Sequence, residues 1–359
     1  MSKIVSIGTA VPKYKHEQLK IFEFMSRAYA LSEVEKRRLR FIYSQSGIST
    51  RYSVYPDFGV SADQWEFYPP SENLEPLPPM EDRMKAFRLH AAPLSNQAIQ
   101  DCLRDSPNEK ITHLITVTCT GMSAPGLDLE LLELLGLPAT TWRTSINFMG
   151  CYAAIHALKV ADMICKTDPA ASVLIVSIEL CTIHFQKAYS NETITSDILF
   201  GDGAAAVLVK GDDGPGLHID NFHSCVSAKG KREMVWEMSS LGFVLTLSGF
   251  IPDLIQEDFD RLVTAALDEA GLKKEDISQW CVHPGGKKIL KAIQNSLGFP
   301  DGQLQHSYDV LNEYGNMSSP TVLFVLKRIH DALEKKQADR IFGAAFGPGL
   351  TMETFILSS

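Results

Sequence analysis

The stretch Phe148-Met-Gly-Cys151-Tyr-Ala-Ala-Ile-His-Ala-Leu-Lys-Val-Ala-Asp-Met-Ile-Cys165 carries a thiol at the start of a long apolar segment. Gly150 permits a tight turn, and no proline or glycine follows it before Cys165, so the stretch predicts a helix with Cys151 in its first turn. Unpaired N–H groups at a helix start favour an anion, and with a cationic neighbour they lower a thiol pKa to roughly 4–7. Cys151 is therefore a candidate nucleophile, although free cysteine is more often a small core residue.

Strands and helices alternate along the first half of the chain on both sides of this stretch. Apolar, β-branched runs between turn signals predict strands at residues 4–8, 113–119, 142–147 and 172–178. Helical patterns fall at about residues 16–30, 32–45 and 80–105. The alternation predicts an α/β fold with a largely parallel sheet.

The second half repeats this outline, with strands at 216–223 and 278–282 and a helix at about 252–269. Leu199-Phe200-Gly-Asp-Gly203 and Phe346-Gly-Pro-Gly349 both place a glycine turn between an aromatic residue and a strand. This weak repeat predicts two similar halves, residues 1–212 and 213–359, stacked with the site between them. Chance similarity between two short turns is the alternative.

Composition limits the class of protein. A hydrophobic fraction of 45% and a charged fraction of 21% are ordinary for a globular chain. The N-terminus reads as a buried strand and no run approaches about 18 apolar residues, so we expect neither a signal peptide nor a membrane segment. Seven cysteines without Cys-x-x-Cys pairs indicate a reducing compartment, so we expect a cytoplasmic protein with no disulfides and no metal. A net charge of -9 argues against nucleic acid as a partner.

Two basic runs stand out against this acidic background, Lys36-Arg-Arg-Leu-Arg40 and Lys287-Lys288-Ile-Leu-Lys291. Each is a candidate site for a phosphorylated small molecule. Each is also compatible with a solvated helix face, which is the commoner origin of a charge run.

His283 and Asn316 are the candidates for chemistry in the second half. His283 ends a predicted strand, and the Pro-Gly-Gly turn after it lets a ligand approach the carboxyl edge of the sheet. An isolated histidine is otherwise more often a satisfied core or surface residue. Asn316 stands where a helix is predicted to start, so it is either a plain N-cap or a neutral amide donor aimed at an oxyanion.

Cys151, His283 and Asn316 together fit a decarboxylative condensing site. A Cys151 thiolate paired with His283 accepts an acyl group. His283 and Asn316 then donate hydrogen bonds to a thioester carbonyl whose oxygen becomes an enolate when carbon dioxide leaves, and the carbanion attacks the Cys151 thioester. Asparagine suits this role better than aspartate because a carboxylate would repel the enolate.

Five motifs carry a resemblance to a known family: Gly150-Cys151, Leu199-Phe200-Gly-Asp-Gly-Ala-Ala-Ala, Trp280-x-x-His283-Pro-Gly-Gly, Tyr314-Gly-Asn316-Met-Ser-Ser and Phe346-Gly-Pro-Gly-Leu-Thr-Met-Glu-Thr. From its first strand to its last residue the chain resembles the chalcone synthase family, the type III polyketide synthases. The resemblance implies a thiolase-like fold, with two similar halves stacked as an αβαβα layered sandwich, and a homodimer. It also implies iterative condensation of malonyl-CoA onto a CoA-linked acyl starter, without an acyl carrier protein and with no cofactor besides these CoA thioesters.

The resemblance also implies residue roles. Cys151 is the nucleophile, and His283 and Asn316 are the decarboxylation and oxyanion donors. Phe200 is a gate between the CoA tunnel and the cavity, and the loop at Phe346 shapes the cavity around the nucleophile. The basic run at 36–40 falls where similar enzymes hold the CoA phosphates. With the second basic run, which is a candidate on its charge alone, the predicted CoA-binding residues are Arg38, Arg40, Lys287 and Lys288.

Several positions depart from the plant members of the family. Trp236 replaces a small cavity residue and Leu245 a second gating phenylalanine, so the cavity is expected to be reshaped or shortened. Two starter-pocket threonines appear as Cys181 and His184, which argues against a p-coumaroyl starter, while Ser318 is retained. Cys119 resembles a second cysteine near the nucleophile in bacterial members, including tetrahydroxynaphthalene synthases; a plain buried cysteine is an equal interpretation.

The prediction is a bacterial-type type III polyketide synthase that extends a CoA-linked starter, or malonyl-CoA itself, and cyclises the chain to a resorcinol, pyrone or polyhydroxylated aromatic. A ketoacyl-acyl carrier protein synthase III is the nearest alternative enzyme, although its usual His-Gln-Ala-Asn stretch is absent. A non-catalytic acyl-CoA-binding subunit with a thiolase fold is the alternative outside enzymes.

Overall fold

The computed structural model describes residues 2–71, 73–211, 214–240, 242–333 and 339–359, and the side chains of these residues except 191 and 192. No helix within these ranges is long and apolar enough to cross a membrane.

Thirteen strands occur in the described ranges. They are β1 (Lys3–Ala10), β2 (Tyr14–Glu17), β3 (Thr50–Ser53), β4 (His113–Thr118), β5 (Trp142–Asn147), β6 (Ser172–Leu180), β7 (Asp202–Lys210), β8 (Leu217–Val226), β9 (Met234–Ser239), β10 (Gly242–Leu247), β11 (Gln279–Val282), β12 (Arg340–Gly347) and β13 (Thr351–Ser358). A nine-stranded sheet runs in the order β11-β12-β13-β8-β1-β7-β6-β4-β5, and β9 with β10 and β2 with β3 form two-stranded sheets.

Ten α-helices accompany these strands in the described ranges. They are α1 (Gln18–Ala28), α2 (Glu33–Gln45), α3 (Met80–Cys102), α4 (Leu127–Leu134), α5 (Ala153–Thr167), α6 (Asn191–Leu199), α7 (Ile251–Glu269), α8 (Lys287–Leu297), α9 (Gln305–Tyr314) and α10 (Thr321–Ala332). The helices predicted at 16–30, 32–45, 80–105 and 252–269 are confirmed, with ends shifted by at most a few residues.

The two ends of the nine-stranded sheet form separate layers, and with the helices packed on and between them they give five layers. Helices α3 and α4 pack on one face of β4, β6 and β7, and α7 and α8 pack on one face of β11, β12 and β13. Helices α5 and α10 fill the middle and contact the inner faces of both sets of strands. In β6, Val173 and Ile175 pack in this middle layer whereas Leu174 and Val176 face α3, which explains why residues 173–176 are all apolar. The predicted αβαβα sandwich is confirmed.

The prediction of a largely parallel sheet is wrong. Strand β4 is parallel to β5 and β6, and β11 is parallel to β12, but the remaining neighbours in the sheet are antiparallel. Two strands joined by a short turn run antiparallel, as β12 and β13 do. The order of strands and helices along the sequence does not reveal which strands are joined in this way. The predicted boundary between residues 212 and 213 lies outside the described residues, and the division at that point stays a prediction.

Candidate active site

Cys151 lies in a turn between β5 and α5. Gly150 has a φ of +81°, and a Cβ on it would lie 2.2 Å from Cδ of Pro348, so both the backbone conformation and the space require glycine there. Helix α5 begins only at Ala153, with Tyr152 as its N-cap. The prediction that Cys151 sits in the first helical turn is therefore wrong by two residues, because the left-handed turn at Gly150 delays the helix.

The Cys151 thiol is half-buried and uncharged in this arrangement. Its Sγ–H points at Oγ of Ser318 over 3.6 Å, a weak sulfur hydrogen bond. Burial raises the pKa of the Cys151 thiol to about 12, although the contacts with Ser318 and Asn316 oppose this shift. The low thiol pKa expected from a helix start is not present, because Cys151 precedes the helix and lies in an apolar cavity.

His283 follows β11 and is almost completely buried. Its backbone N–H donates to the carbonyl of Ala344 over 2.8 Å, which anchors the residue at the end of the sheet. Neither ring nitrogen has a hydrogen-bond partner among the described residues. Burial lowers the pKa of His283 to about 3, so the imidazole is neutral and has one nitrogen free to accept and one free to donate.

The Asn316 side chain is oriented by its own loop. Its Oδ1 accepts a hydrogen bond from the Ser318 backbone N–H over 2.7 Å, which identifies the other end of the carboxamide as the donor. That Nδ2 donates one long hydrogen bond, 3.4 Å, to the carbonyl of Gly285. The N-cap interpretation is wrong, because α10 begins at Thr321 with Pro320 as its N-cap. Asn316 is therefore an amide donor in a loop before the helix.

One cavity of about 310 Å³ brings the predicted residues together. Cys151, His283 and Asn316 all line it. So do the residues predicted for the gate, the cavity and one of the two basic runs: Phe200, Cys119, Cys181, His184, Trp236, Leu245, Ser318, Phe346, Lys287 and Lys288. Arg38 and Arg40 are exposed on α2 and do not line it, although Ile42 and Gln45 of the same helix do.

Comparison with known families accounts for nearly the whole chain. Residues 1–213 match the model for chalcone and stilbene synthases, N-terminal domain, and residues 226–359 match the model for the C-terminal domain. The chain belongs to the chalcone and stilbene synthase family. It is a type III polyketide synthase, an enzyme of the acyltransferase class, and the family uses malonyl-CoA and acyl-CoA substrates.

Individual relatives in this family show the same extent of similarity. The alpha-pyrone synthesis polyketide synthase-like Pks18 of Mycobacterium tuberculosis is 30% identical over 98% of this chain and 89% of its own length. A probable polyketide synthase of Dictyostelium discoideum is 29% identical over all of this chain, which spans 11% of that protein. PKS-I from the brown alga Ectocarpus siliculosus superposes with a TM-score of 0.91 at 31% identity, over 99% of this chain and 97% of its own.

The wall of the polyketide synthase cavity beside Cys119 is aromatic and rigidly bonded. The imidazole of His184 stacks on Phe243 with ring centroids 4.5 Å apart, and Trp236 contacts both rings. The Trp236 Nε1–H donates to the Cys119 carbonyl over 2.9 Å, and Leu245 is the direct cross-strand neighbour of Trp236 in the β9–β10 hairpin. These residues fill space on one side of Cys151.

Two further cysteines line the cavity near Cys151, and their thiols are uncharged as the Cys151 thiol is. The Sγ of Cys119 accepts a hydrogen bond from the Gly150 backbone N–H over 3.0 Å, which supports the turn before Cys151. Burial raises the pKa values of Cys119 and Cys181 well above the usual range for a thiol. Both thiols are therefore neutral wall residues in this arrangement.

Glu179 was missed in the sequence, although it lies directly behind the site. It is fully buried in β6 and accepts hydrogen bonds from the Cys119 N–H at 2.9 Å, the Thr120 hydroxyl at 2.8 Å and the Ser319 hydroxyl at 2.7 Å. Burial raises the pKa of this carboxyl, and these donors oppose the shift. A carboxylate within an otherwise apolar strand was the available signal, because such a group requires buried partners.

His184 makes the stability of the protein depend on pH. Its Nε2–H donates to the Thr120 carbonyl and its Nδ1 accepts from the Phe243 N–H, and burial lowers its pKa to about 3. The unfolded chain therefore binds a proton below pH 6.5 that the folded protein does not, and the contribution of His184 to stability is lost as pH falls. Buried Asp197 and Asp202, whose pKa values burial raises to about 8 and about 7, act in the opposite sense.

Comparing wild type with His184→Gln isolates this contribution, because the two aspartates are common to both proteins. The wild-type advantage in free energy of unfolding should shrink by about 2 kcal/mol between pH 7 and pH 5. Urea unfolding followed by tryptophan fluorescence at both pH values measures it. A difference that stays constant with pH would contradict a neutral, buried His184.

Proposed function

We propose that this polyketide synthase loads a CoA-linked acyl starter, or malonyl-CoA itself, onto Cys151 and extends it by decarboxylative condensation with malonyl-CoA. The single observation that carries the assignment of roles is the shared cavity. Cys151 faces it together with the His283 imidazole, whose nitrogens have no partner in the described part of the chain, and the Asn316 carboxamide, whose donor end is fixed.

Loading begins with the Cys151 thiol and the His283 imidazole both uncharged. Burial disfavours both a lone thiolate and a lone imidazolium, so the proton passes from the Cys151 thiol to His283 as the two charges form together. The thiolate attacks the starter thioester and forms a new S–C bond, while the C–S bond to CoA breaks. The departing CoA thiolate takes the proton from His283, which leaves the imidazole neutral for the next step.

Extension uses His283 and Asn316 as hydrogen-bond donors. The bond between the malonyl carbon and its carboxylate breaks, carbon dioxide leaves, and the electron pair moves toward the thioester oxygen. His283 and the Asn316 Nδ2–H donate hydrogen bonds to that enolate oxygen, and little water is present in the site to compete for them. The carbanion then attacks the acyl carbon on Cys151, a C–C bond forms, and the Cys151 thiolate is released to accept the lengthened chain.

Incubation with ¹⁴C-malonyl-CoA, alone and with a panel of acyl-CoA starters, tests this function. We expect carbon dioxide release and an extractable labelled product without any carrier protein. A requirement for an acyl carrier protein would favour a ketoacyl-acyl carrier protein synthase. Absence of both carbon dioxide and product with every starter would overturn the proposal.

CoA is expected to enter beside α8. Lys287 and Lys288 begin that helix after Gly285 and Gly286, line the cavity and are exposed, so they combine positive charge with a helix start. Arg38 and Arg40 lie outside the cavity lining, and their proposed contact with CoA phosphates would be made at the exposed surface of α2. No further cofactor is part of the proposed reaction.

The active form is proposed to be a cytoplasmic homodimer. Strand β5 lies at the edge of the sheet, and its Trp142 is 74% exposed, which suits pairing with the same strand of a second copy. Light scattering after gel filtration should give twice the chain mass. The proposed compartment is supported by seven cysteines that are all free thiols.

Trp236→Ala should lengthen the product. The substitution removes an indole from the wall beside Cys119, so the growing chain has more room before it cyclises. Mass spectrometry should show products with at least one more ketide unit than wild type. Met238→Ala, which changes an exposed residue of the same strand outside the cavity, is the matched control. Unchanged product masses in Trp236→Ala would show that this wall does not limit chain length.

A further inference from the structure

Arg51 in β3 is a buried guanidinium that the proposed reaction does not use. It is only 4% exposed, although arginine is rarely taken out of water without a specific set of acceptors. Its Nη1–H donates to the carbonyl of Phe200, and its Nε–H donates to Oε1 of Gln18 over 2.9 Å. Gln18 in turn donates to the carbonyl of Ile198 over 2.8 Å. The two side chains therefore satisfy carbonyls at the C-terminal end of α6, which the helix itself leaves unpaired.

The same end of α6 is joined to the loop that carries Asn316. The Asn316 N–H donates to the Leu199 carbonyl over 2.8 Å, and the Gly201 N–H donates to the Asn316 carbonyl over 2.9 Å. Phe200 and Asn316 thus form a two-residue β-bridge. Any displacement of the Phe200 backbone is transmitted to Asn316, because the two hydrogen bonds flank Phe200 on both sides.

Arg51 also contacts this loop directly. A Cβ on Gly315, which has a φ of +70°, would lie 2.9 Å from Cγ and Cδ of Arg51, so the arginine stem packs against the residue before Asn316. The neighbouring Thr50 hydroxyl donates to the Glu313 carbonyl over 2.7 Å. One short strand therefore holds both partners of the bridge, the Phe200 carbonyl on one side and the Gly315 backbone on the other.

We propose that Arg51 is a positioning residue that fixes the Asn316 amide donor and the Phe200 gate as one unit. This inference rests on the proposed function, in which Asn316 stabilises the enolate. Arg51 is among the residues that line the cavity, but its hydrogen bonds go to Gln18 and the Phe200 carbonyl, so in this proposal it acts through the backbone of the bridge and not on the reacting atoms. Its loss should therefore reduce the rate of decarboxylation more than the binding of malonyl-CoA.

Decarboxylation is measured in a Cys151→Gln background, where no condensation follows. We expect Arg51→Met to lower kcat for carbon dioxide release by at least about tenfold, while KM for malonyl-CoA changes by less than about threefold. Gln18→Met, which removes only the support for the guanidinium and the Ile198 carbonyl, should cause a smaller loss in the same direction. The Gln18→Met variant keeps the test decisive if Arg51→Met folds poorly.

Hydrogen exchange provides a readout that does not depend on chemistry. Peptides covering residues 196–204 and 312–320 should exchange at least about tenfold faster in Arg51→Met. Arg83→Met is the matched control, because it removes a fully buried guanidinium that donates to the carbonyls of Pro78 and Phe185. It should leave exchange in both peptides unchanged.

The outcomes separate the two proposals. If Cys151→Gln does not decarboxylate malonyl-CoA, the proposed function fails and this inference fails with it. If Cys151→Gln is active and the Arg51→Met form of it keeps kcat within about twofold, or shows unchanged exchange in both peptides, the inference alone is overturned.

Discussion

Replacing Cys151 with alanine is expected to lower polyketide formation by at least about 10⁴-fold, because no other group can accept the acyl chain. Cys119 and Cys181 line the same cavity, but it is the Cys151 thiol that contacts Ser318 and Asn316, whereas the Cys119 Sγ is occupied by the Gly150 N–H, so we expect neither to substitute. Product formation from ¹⁴C-malonyl-CoA measures the loss.

Cys151→Gln distinguishes loss of the nucleophile from loss of the site. Glutamine fills the space of an acylated cysteine without accepting an acyl group, and His283 and Asn316 are unchanged. Carbon dioxide release should therefore persist without product. Cys225→Ala, at a half-buried cysteine outside the cavity, should keep wild-type activity. Substantial product from Cys151→Ala would show that another residue is the nucleophile.

Asn316→Ala should reduce kcat for decarboxylation by about 10²–10³-fold, the usual cost of removing one donor from a developing oxyanion. The Ser318 N–H fixes the carboxamide so that only its donor end is available to substrate. Asn316→Asp should lose at least as much, because a carboxylate would place negative charge beside the enolate. Carbon dioxide release is the measurement, at saturating malonyl-CoA.

Asn295→Ala is the control for this second prediction. Asn295 is exposed on α8 and makes one long contact, 3.4 Å, with Gln256. Its replacement should leave the rate unchanged. Activity of Asn316→Asp close to wild type would show that Asn316 does not contact the enolate, and the hydrogen bonds to the thioester oxygen would have to come from other groups.

Much of the fold and the identity of the candidate site could be predicted from local signals. The strand at 172–178 was recognisable because a strand buried on both faces carries consecutive apolar and β-branched residues, as residues 173–176 do. Cys151 and His283 were recognisable because glycines stand before the one and shortly after the other, whereas Asn316 was singled out by a predicted helix start that the structure places at Thr321. These features depend on a few consecutive residues, which is why the sequence reveals them.

The protonation states of the site could not be predicted in this way. A helix start suggested a low pKa for the Cys151 thiol, but the surrounding cavity raises that pKa, since desolvation outweighs the nearby hydrogen bonds. Desolvation depends on side chains from both halves of the chain. The roles of Glu179 and Arg51 were hidden for the same reason, because their partners are distant in the sequence.

The middle layer of α5 and α10 has a consequence for how the protein is synthesised. Cys151 precedes α5, whereas His283 and Asn316 follow more than a hundred residues later, and α5 completes its packing only against α10. A ribosome releases the N-terminal part first. An unfinished or prematurely terminated chain therefore carries Cys151 without His283 and Asn316, and under the proposed function such a chain could not extend an acyl group.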